Sequence, residues 1–173
     1  MNRPAAFPSL AGRYGGFSLI ELMVVVILLG ILLAVAVPTF RDMVVQTRLA
    51  TQSNDLLSAV QMARSEAVKR NQPVSLCAVA SATATSCPAT ALTTWLHWLL
   101  IDGNDNILRR GAVSDSLKLT GPASALVFAP SGLSTVASYS LVLCSPTGSG
   151  DTTRTLEIGL SGRAAVSKST GCS

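Results

Sequence analysis

Gly16-Phe17-Ser18-Leu19-Ile20-Glu21, followed by a run without a charge from Leu22 to Phe40, decides how the rest of the chain is read. At ~1.5 Å per residue, a helix from Phe17 to Val37 reaches about 31 Å, one hydrocarbon core. The short segment ahead of it carries Arg3 and Arg13. Under the positive-inside rule that end stays cytoplasmic and the C-terminal bulk crosses the membrane. Glu21 is the anomaly, because an ionised carboxylate inside a membrane helix costs on the order of a few kcal/mol unless it is paired or near the interface. A cut between Gly16 and Phe17 would create an amine close to one helical turn before Glu21, able to neutralise it within a chain or between neighbours.

A secretory signal peptide places its cleavage site after the apolar region, whereas Gly16 lies before it. A basic leader, a glycine and then Phe-x-x-x-Glu heading an apolar helix resembles a class III prepilin signal. The resemblance implies cleavage after Gly16 by a prepilin peptidase, N-methylation of Phe17, and assembly through the N-terminal helix with other major and minor pilins or pseudopilins. The other reading of these residues is an uncleaved signal-anchor helix with a stray Glu21.

The 173 residues, less such a leader, suit one helix-plus-sheet domain. The formal charge of +4 loses Arg3 and Arg13 with the leader, so a general polyanion-binding surface is not indicated. All four cysteines, Cys77, Cys87, Cys144 and Cys172, lie downstream of the span, on the side expected to be oxidising. Disulfides are the first reading. Of the three pairings, Cys77 with Cys87 and Cys144 with Cys172 is favoured, since each then ties a loop or a tail to a strand. Close Cys-x-x-Cys or His-bearing clusters are absent from the sequence, so no metal is expected, and no cofactor either.

Beyond the span, Pro38 should bend the helix. Val45, Leu49, Leu56, Val60, Ala63 and Ala67 recur near helical spacing and leave Arg41, Arg48 and Arg64 largely elsewhere. The helix should stop near Asn71-Gln72-Pro73, because a residue before proline is driven out of the helical region. From Phe17 to Arg70 that is roughly 80 Å at the standard rise. Short β-type runs follow: Val74 to Val79, Thr94 to Ile101, Ile107 to Arg110, Leu117 to Thr120, Leu126 to Ala129, Tyr139 to Cys144, Thr155 to Ile158 and Arg163 to Val166. Turns are expected at Asp102 to Asn106, Pro130-Ser131-Gly132 and Gly159 to Gly162, with Ser81 to Thr94 a loop pinned at Cys87.

Ala63-Arg64-Ser65-Glu66-Ala67-Val68-Lys69-Arg70 with Val74-Ser75-Leu76-Cys77, the Trp95 to Asp102 strand and turn, Phe128-Ala129-Pro130-Ser131-Gly132, and Gly162-Arg163 before a last cysteine occur in that order. Together they resemble the minor pilins and pseudopilins of the FimT and GspH type, from Gly16 nearly to Cys172. One departure is His97, where that family commonly has a glycine before its second tryptophan. The resemblance implies an α+β fold: a long N-terminal membrane helix that continues into a head and packs there on antiparallel β-sheets, type IV pilin-like. Residues 1–16 would be the cleaved leader, 17–37 the transmembrane and assembly helix, 38–72 its amphipathic half and 73–173 a periplasmic β-rich head. The function implied is that of a non-enzymatic subunit, at or near the tip of a type IV pilus or a type II secretion pseudopilus. Before assembly it would be held in the bacterial inner membrane by a single pass, N-terminus cytoplasmic.

Other motifs have plainer readings. Arg64, Glu66, Lys69 and Arg70 resemble a binding patch, but cations in a last turn also stabilise the helix dipole, and that reading is preferred. Asp102-x-Asn104-x-Asn106 resembles the start of a calcium loop, yet Ile107 stands where that loop needs Gly and Val113 where it needs a bidentate Glu, so a β-turn is expected. His97, the sole histidine, lacks a carboxylate or cysteine cluster nearby in sequence and reads as a strand-face or interior residue rather than a catalytic base. Some FimT-like proteins carry Gly-Arg-x-Arg near the C-terminus and bind DNA through it. Here Gly162-Arg163-Ala164-Ala165 lacks the second arginine. Arg163 and Lys168, with Arg154, are the candidate phosphate contacts for the alternative function, DNA uptake in natural transformation, and so few cations would bind weakly and with strong salt dependence.

Overall fold

The computed structural model describes residues 16, 18–89, 92–146, 152–170 and 172. The chain divides into two compact units between Thr39 and Phe40. One helix, α1 (Leu19–Arg70), contributes to both, and its helical assignment runs through Pro38.

Within the first unit α1 is apolar and unburied. Its large side chains from Leu19 to Leu33 range from 49% exposed at Val24 to 79% at Leu19, and the stretch is long and apolar enough to cross a membrane. The helix opens on Ser18, whose hydroxyl accepts the Glu21 N–H at 3.2 Å while its carbonyl accepts the Leu22 N–H at 3.2 Å. Ser18 thus satisfies one of the orphan donors at the helix start, and Glu21 brings negative charge to the positive end of the dipole.

In the second unit α1 turns one stripe inward. Leu49, Leu56, Ala59, Val60, Ala63 and Ala67 are buried, as 3.6-residue periodicity requires. Ser53 lies on the same stripe, its hydroxyl donating to the Ala50 carbonyl at 3.0 Å. Arg41, Arg48 and Arg64 are exposed. The helix stops by a pair of tightening bonds. Asn71, at φ 51°, donates its N–H to Val68 O (3.4 Å), and Gln72 N–H reaches Ala67 O (3.3 Å). This is a Schellman motif with asparagine in the left-handed position usually taken by glycine, and Pro73 prevents Gln72 from continuing the helix.

Eight strands follow: β1 (Val74–Val79), β2 (His97–Asp102), β3 (Ile107–Ala112), β4 (Lys118–Thr120), β5 (Leu126–Phe128), β6 (Ser138–Cys144), β7 (Thr153–Gly159) and β8 (Ala164–Ser169). They form two antiparallel sheets ordered β3-β2-β1-β5 and β4-β6-β7-β8. The strand expected from Thr94 begins at His97 instead. Thr94 bridges Thr120, and Trp95 N–H bonds Leu119 O at 2.9 Å, so this segment is spent on joining the two sheets. His97 enters β2 in register with Val79 on one side and Ala112 on the other; the irregularity in the β2–β3 ladder comes later, between Leu100 and Ile101.

One core joins α1 to both sheets, with Leu56, Val60, Leu76, Trp98, Phe128, Leu141 and Leu156 among its members. A smaller cluster of Cys77, Val79, Leu99 and Ile101 is covered by Ala84 and Cys87 of the loop after β1. With apolar cover on both faces, β1 and β2 read as nearly continuous hydrophobic runs rather than alternating ones.

Candidate functional site

The N-terminal site is built on the first turn of α1. Gly16 is exposed, and none of the described residues lies within 4 Å of where a side chain there would begin. Phe17 lies outside the described residues, as do residues 1–15 with Arg3 and Arg13. Glu21 is exposed in the first turn of the helix, its backbone held by Ser18. Sequence reasoning treated Glu21 only as a charge in need of a partner. The signal it passed over was Ser18-Leu19-Ile20-Glu21, the S-x-x-E pattern of a capped helix start.

The disulfides are Cys77–Cys87, with Cα atoms 5.8 Å apart, and Cys144–Cys172, 5.4 Å apart. The first staples the loop after β1 over the outer face of its own sheet. That loop is also held by Arg110 of β3, which donates to the carbonyls of Ala82 and Ala84. The second ties the tail beyond β8 to the end of β6.

Asp102 organises the junction between the end of α1 and the β2–β3 turn. Its side chain is fully enclosed. The carboxylate accepts from the backbone N–H groups of Asn104 (2.9 Å) and Asn106 (3.0 Å), from the Asn106 amide, from Gln72 Nε2 (3.3 Å) and from Arg70 (3.2 Å). Burial acts to raise this carboxyl, but the Asn106 and Asn104 donors and the nearby Arg70 outweigh it, holding the group below its usual range. With its acceptor positions filled by N–H groups, the Asp102 turn is a structural knot rather than a cation loop. Glu66 takes Arg70 at 2.7 Å and Lys69 at 3.3 Å, and those hydrogen bonds hold its carboxyl below the usual range as well.

The three cations considered for DNA do not form a cluster. Arg154 is not a surface group. It is 5% exposed, and its guanidinium donates to Gln46 Oε1 at 2.6 Å and to the Thr153 carbonyl at 3.0 Å. The cause is the pleat of β7, which turns Arg154, Leu156 and Ile158 to the helix side. Lys168 is exposed and in register with Arg154. Arg163 stands at the opposite end of β8, roughly 16 Å from Lys168 at ~3.3 Å per residue. What Arg163 does approach is α1: with Gly162 it lines a cleft of about 650 Å³ whose other wall includes Arg64 and Lys69. His97 lies on a strand face, half-buried, its Nδ1 without a hydrogen-bond partner among the described residues.

Comparison with known proteins agrees with this architecture. Residues 12–37 match the prokaryotic N-terminal methylation motif, and residues 52–162 match the family described as type II transport protein GspH. No match was found among curated proteins. Two crystal forms of the type IV minor pilin FimU from Pseudomonas aeruginosa share the fold. One has a TM-score of 0.55 at 18% identity, covering 70% of this chain and 90% of that one. The other has a TM-score of 0.54 at 19% identity, covering 69% and 92%. A long apolar helix that enters a two-sheet antiparallel head, headed by the methylation motif and matched over most of the head by the GspH family, fixes the assignment: the chain belongs to the GspH/FimT family of minor pilins and pseudopilins.

Proposed function

We propose that the chain is made as a membrane-held precursor, cut after Gly16 by a prepilin peptidase and N-methylated on Phe17. It is then packed, as a non-enzymatic subunit, at or near the tip of a type IV pilus or a type II secretion pseudopilus. The observation that carries this reading is the first unit itself, a helix of exposed apolar side chains that opens on the Ser18 cap and holds a single acid, Glu21. Such a surface needs lipid or other helices to cover it.

Before assembly the helix spans the inner membrane once, with the arginine-bearing leader cytoplasmic and the head periplasmic. The two disulfides suit that oxidising compartment. After the cut, the Phe17 amine of the same or a neighbouring chain pairs with Glu21, which removes the penalty of a lone carboxylate among apolar helices and sets their axial register.

The test is the amount of wild type and of Glu21→Val recovered in sheared filaments, beside the amount of each processed in the membrane. Both should be processed and retained, since the substitution only makes the helix more apolar, and Glu21→Val should be depleted from filaments. Equal recovery would remove the pairing role given to Glu21.

A further inference from the structure

The cleft between α1 and the β7–β8 turn has a chemistry that assembly through the N-terminal helix does not use. Arg64, Val68 and Lys69 line it from the helix, Gly162 and Arg163 from the turn, and no acidic residue is among the described residues that line it. Arg64 is held in place. Its Nε donates to the Gly132 carbonyl at 3.1 Å, and the β7–β8 turn closes directly over it, since a side chain on Gly162 would meet that same carbonyl at 2.6 Å and the Arg64 chain at 3.1 Å. Gly162, at φ 72°, is a position only glycine occupies without strain. Among the described residues the remaining guanidinium nitrogens of Arg64 and the head of Arg163 have no hydrogen-bond partner, whereas Lys69 is partly spent on Glu66.

Exposed apolar side chains stand in and beside this cleft, Val68 in its lining and Leu133 and Leu160 next to it. Val68 is 54% exposed, and Leu133 and Leu160, on the two turns that meet there, are 47% and 54% exposed. The turns are joined by the Ser134 N–H, which bonds the Leu160 carbonyl at 2.9 Å. A phosphate backbone would use the cations but leave these side chains against charge and water, and no aromatic among the described residues lines the cleft to stack a base. A protein segment satisfies both features. The geometry points to a docking surface for an acidic, apolar-flanked segment of a neighbouring pilin-type subunit, with its carboxylates between Arg64 and Arg163 and its apolar side chains on Val68, Leu133 and Leu160. This rests on reading the chain as an assembled subunit and adds the face by which its head meets a partner.

The experiment uses the full chain in lipid nanodiscs and three fluorescent probes: a peptide of alternating glutamate and leucine, one of alternating glutamate and serine, and a short duplex DNA. The glutamate–leucine peptide should bind best. Arg163→Glu should weaken it by about tenfold or more, the scale of one lost charge contact, and Leu160→Ser should narrow the gap between the two peptides. Tryptophan fluorescence of the variants should match wild type, since both substitutions lie on an exposed turn. Absent peptide binding overturns the proposal. So does equal binding of both peptides, and so does duplex DNA that outcompetes them and is lost in Arg163→Glu. Recovery of the same variants in filaments separates the levels: normal assembly without peptide binding removes this face alone, while a wild-type chain that never assembles removes the subunit reading beneath it.

Discussion

Trp98 and Gly111 are fitted to each other: a methyl group on Gly111 would sit 2.1 Å from the Trp98 ring. They face one another across β2 and β3, and the Arg109 guanidinium lies 5.6 Å from the centre of the same ring while pairing with Asp55 of α1 at 2.5 Å. Gly111→Ala therefore forces the indole or the edge strand to move, which costs about 1 to 3 kcal/mol by overpacking. Trp95 and Trp98 are the only tryptophans and both belong to the head. Urea unfolding followed by their fluorescence reads this cost without interference from the N-terminal helix. An unchanged midpoint would mean the close fit is not a constraint.

Acid should loosen the junction at Asp102. Its carboxyl, like that of Glu66, ionises more readily folded than unfolded. The stability each contributes is present above the ordinary carboxylate pKa of ~4 and is lost as pH falls through the lower folded value. The thermal midpoint of the head should hold near neutrality and decline in the acid range. Asp102→Asn should be less stable at pH 7 and show a flatter acid decline, and parallel curves for the two proteins would remove Asp102 as a source.

Removing either disulfide as a Cys→Ser pair should destabilise the head by about 2 to 4 kcal/mol. The Cys77/Cys87 pair should also expose the apolar patch of Val79, Leu99 and Ile101, read as increased binding of a hydrophobic dye. Loss of Cys144–Cys172 should not raise dye binding, since it frees a tail rather than a cover. Peptide mapping without reduction checks the pairing itself.

Local chemistry made most of the fold legible in the sequence. Spacing of Leu49, Leu56, Val60, Ala63 and Ala67 marked the buried stripe, Pro73 marked the stop, and glycine and asparagine turns separated the strands. What stayed hidden depends on pairings between distant residues. Trp95 looks like the start of β2, but its N–H belongs to Leu119 in the other sheet. Arg154 reads as a surface cation, and only the pairing of β7 with its neighbours shows that it faces Gln46 of α1. The meeting of Arg163 with Arg64 across one cleft joins positions nearly a hundred residues apart, and no local pattern signals it.

Enlarging Gly16 should stop maturation. A side chain at Gly16 meets none of the described residues, so Gly16→Leu should fold and enter the membrane normally and fail only at the peptidase. Immunoblots should show a full-length precursor in the membrane and none in filaments. A normally shortened product would place the recognition elsewhere.

The N-terminus of the chain recovered from sheared filaments tests the account most directly. Mass spectrometry of that material should find a first peptide beginning with N-methylated Phe17 and continuing Ser18-Leu19-Ile20-Glu21. A chain that reaches filaments with its leader intact or begins at any other residue would contradict the account, as would one recovered only from the membrane as full-length protein.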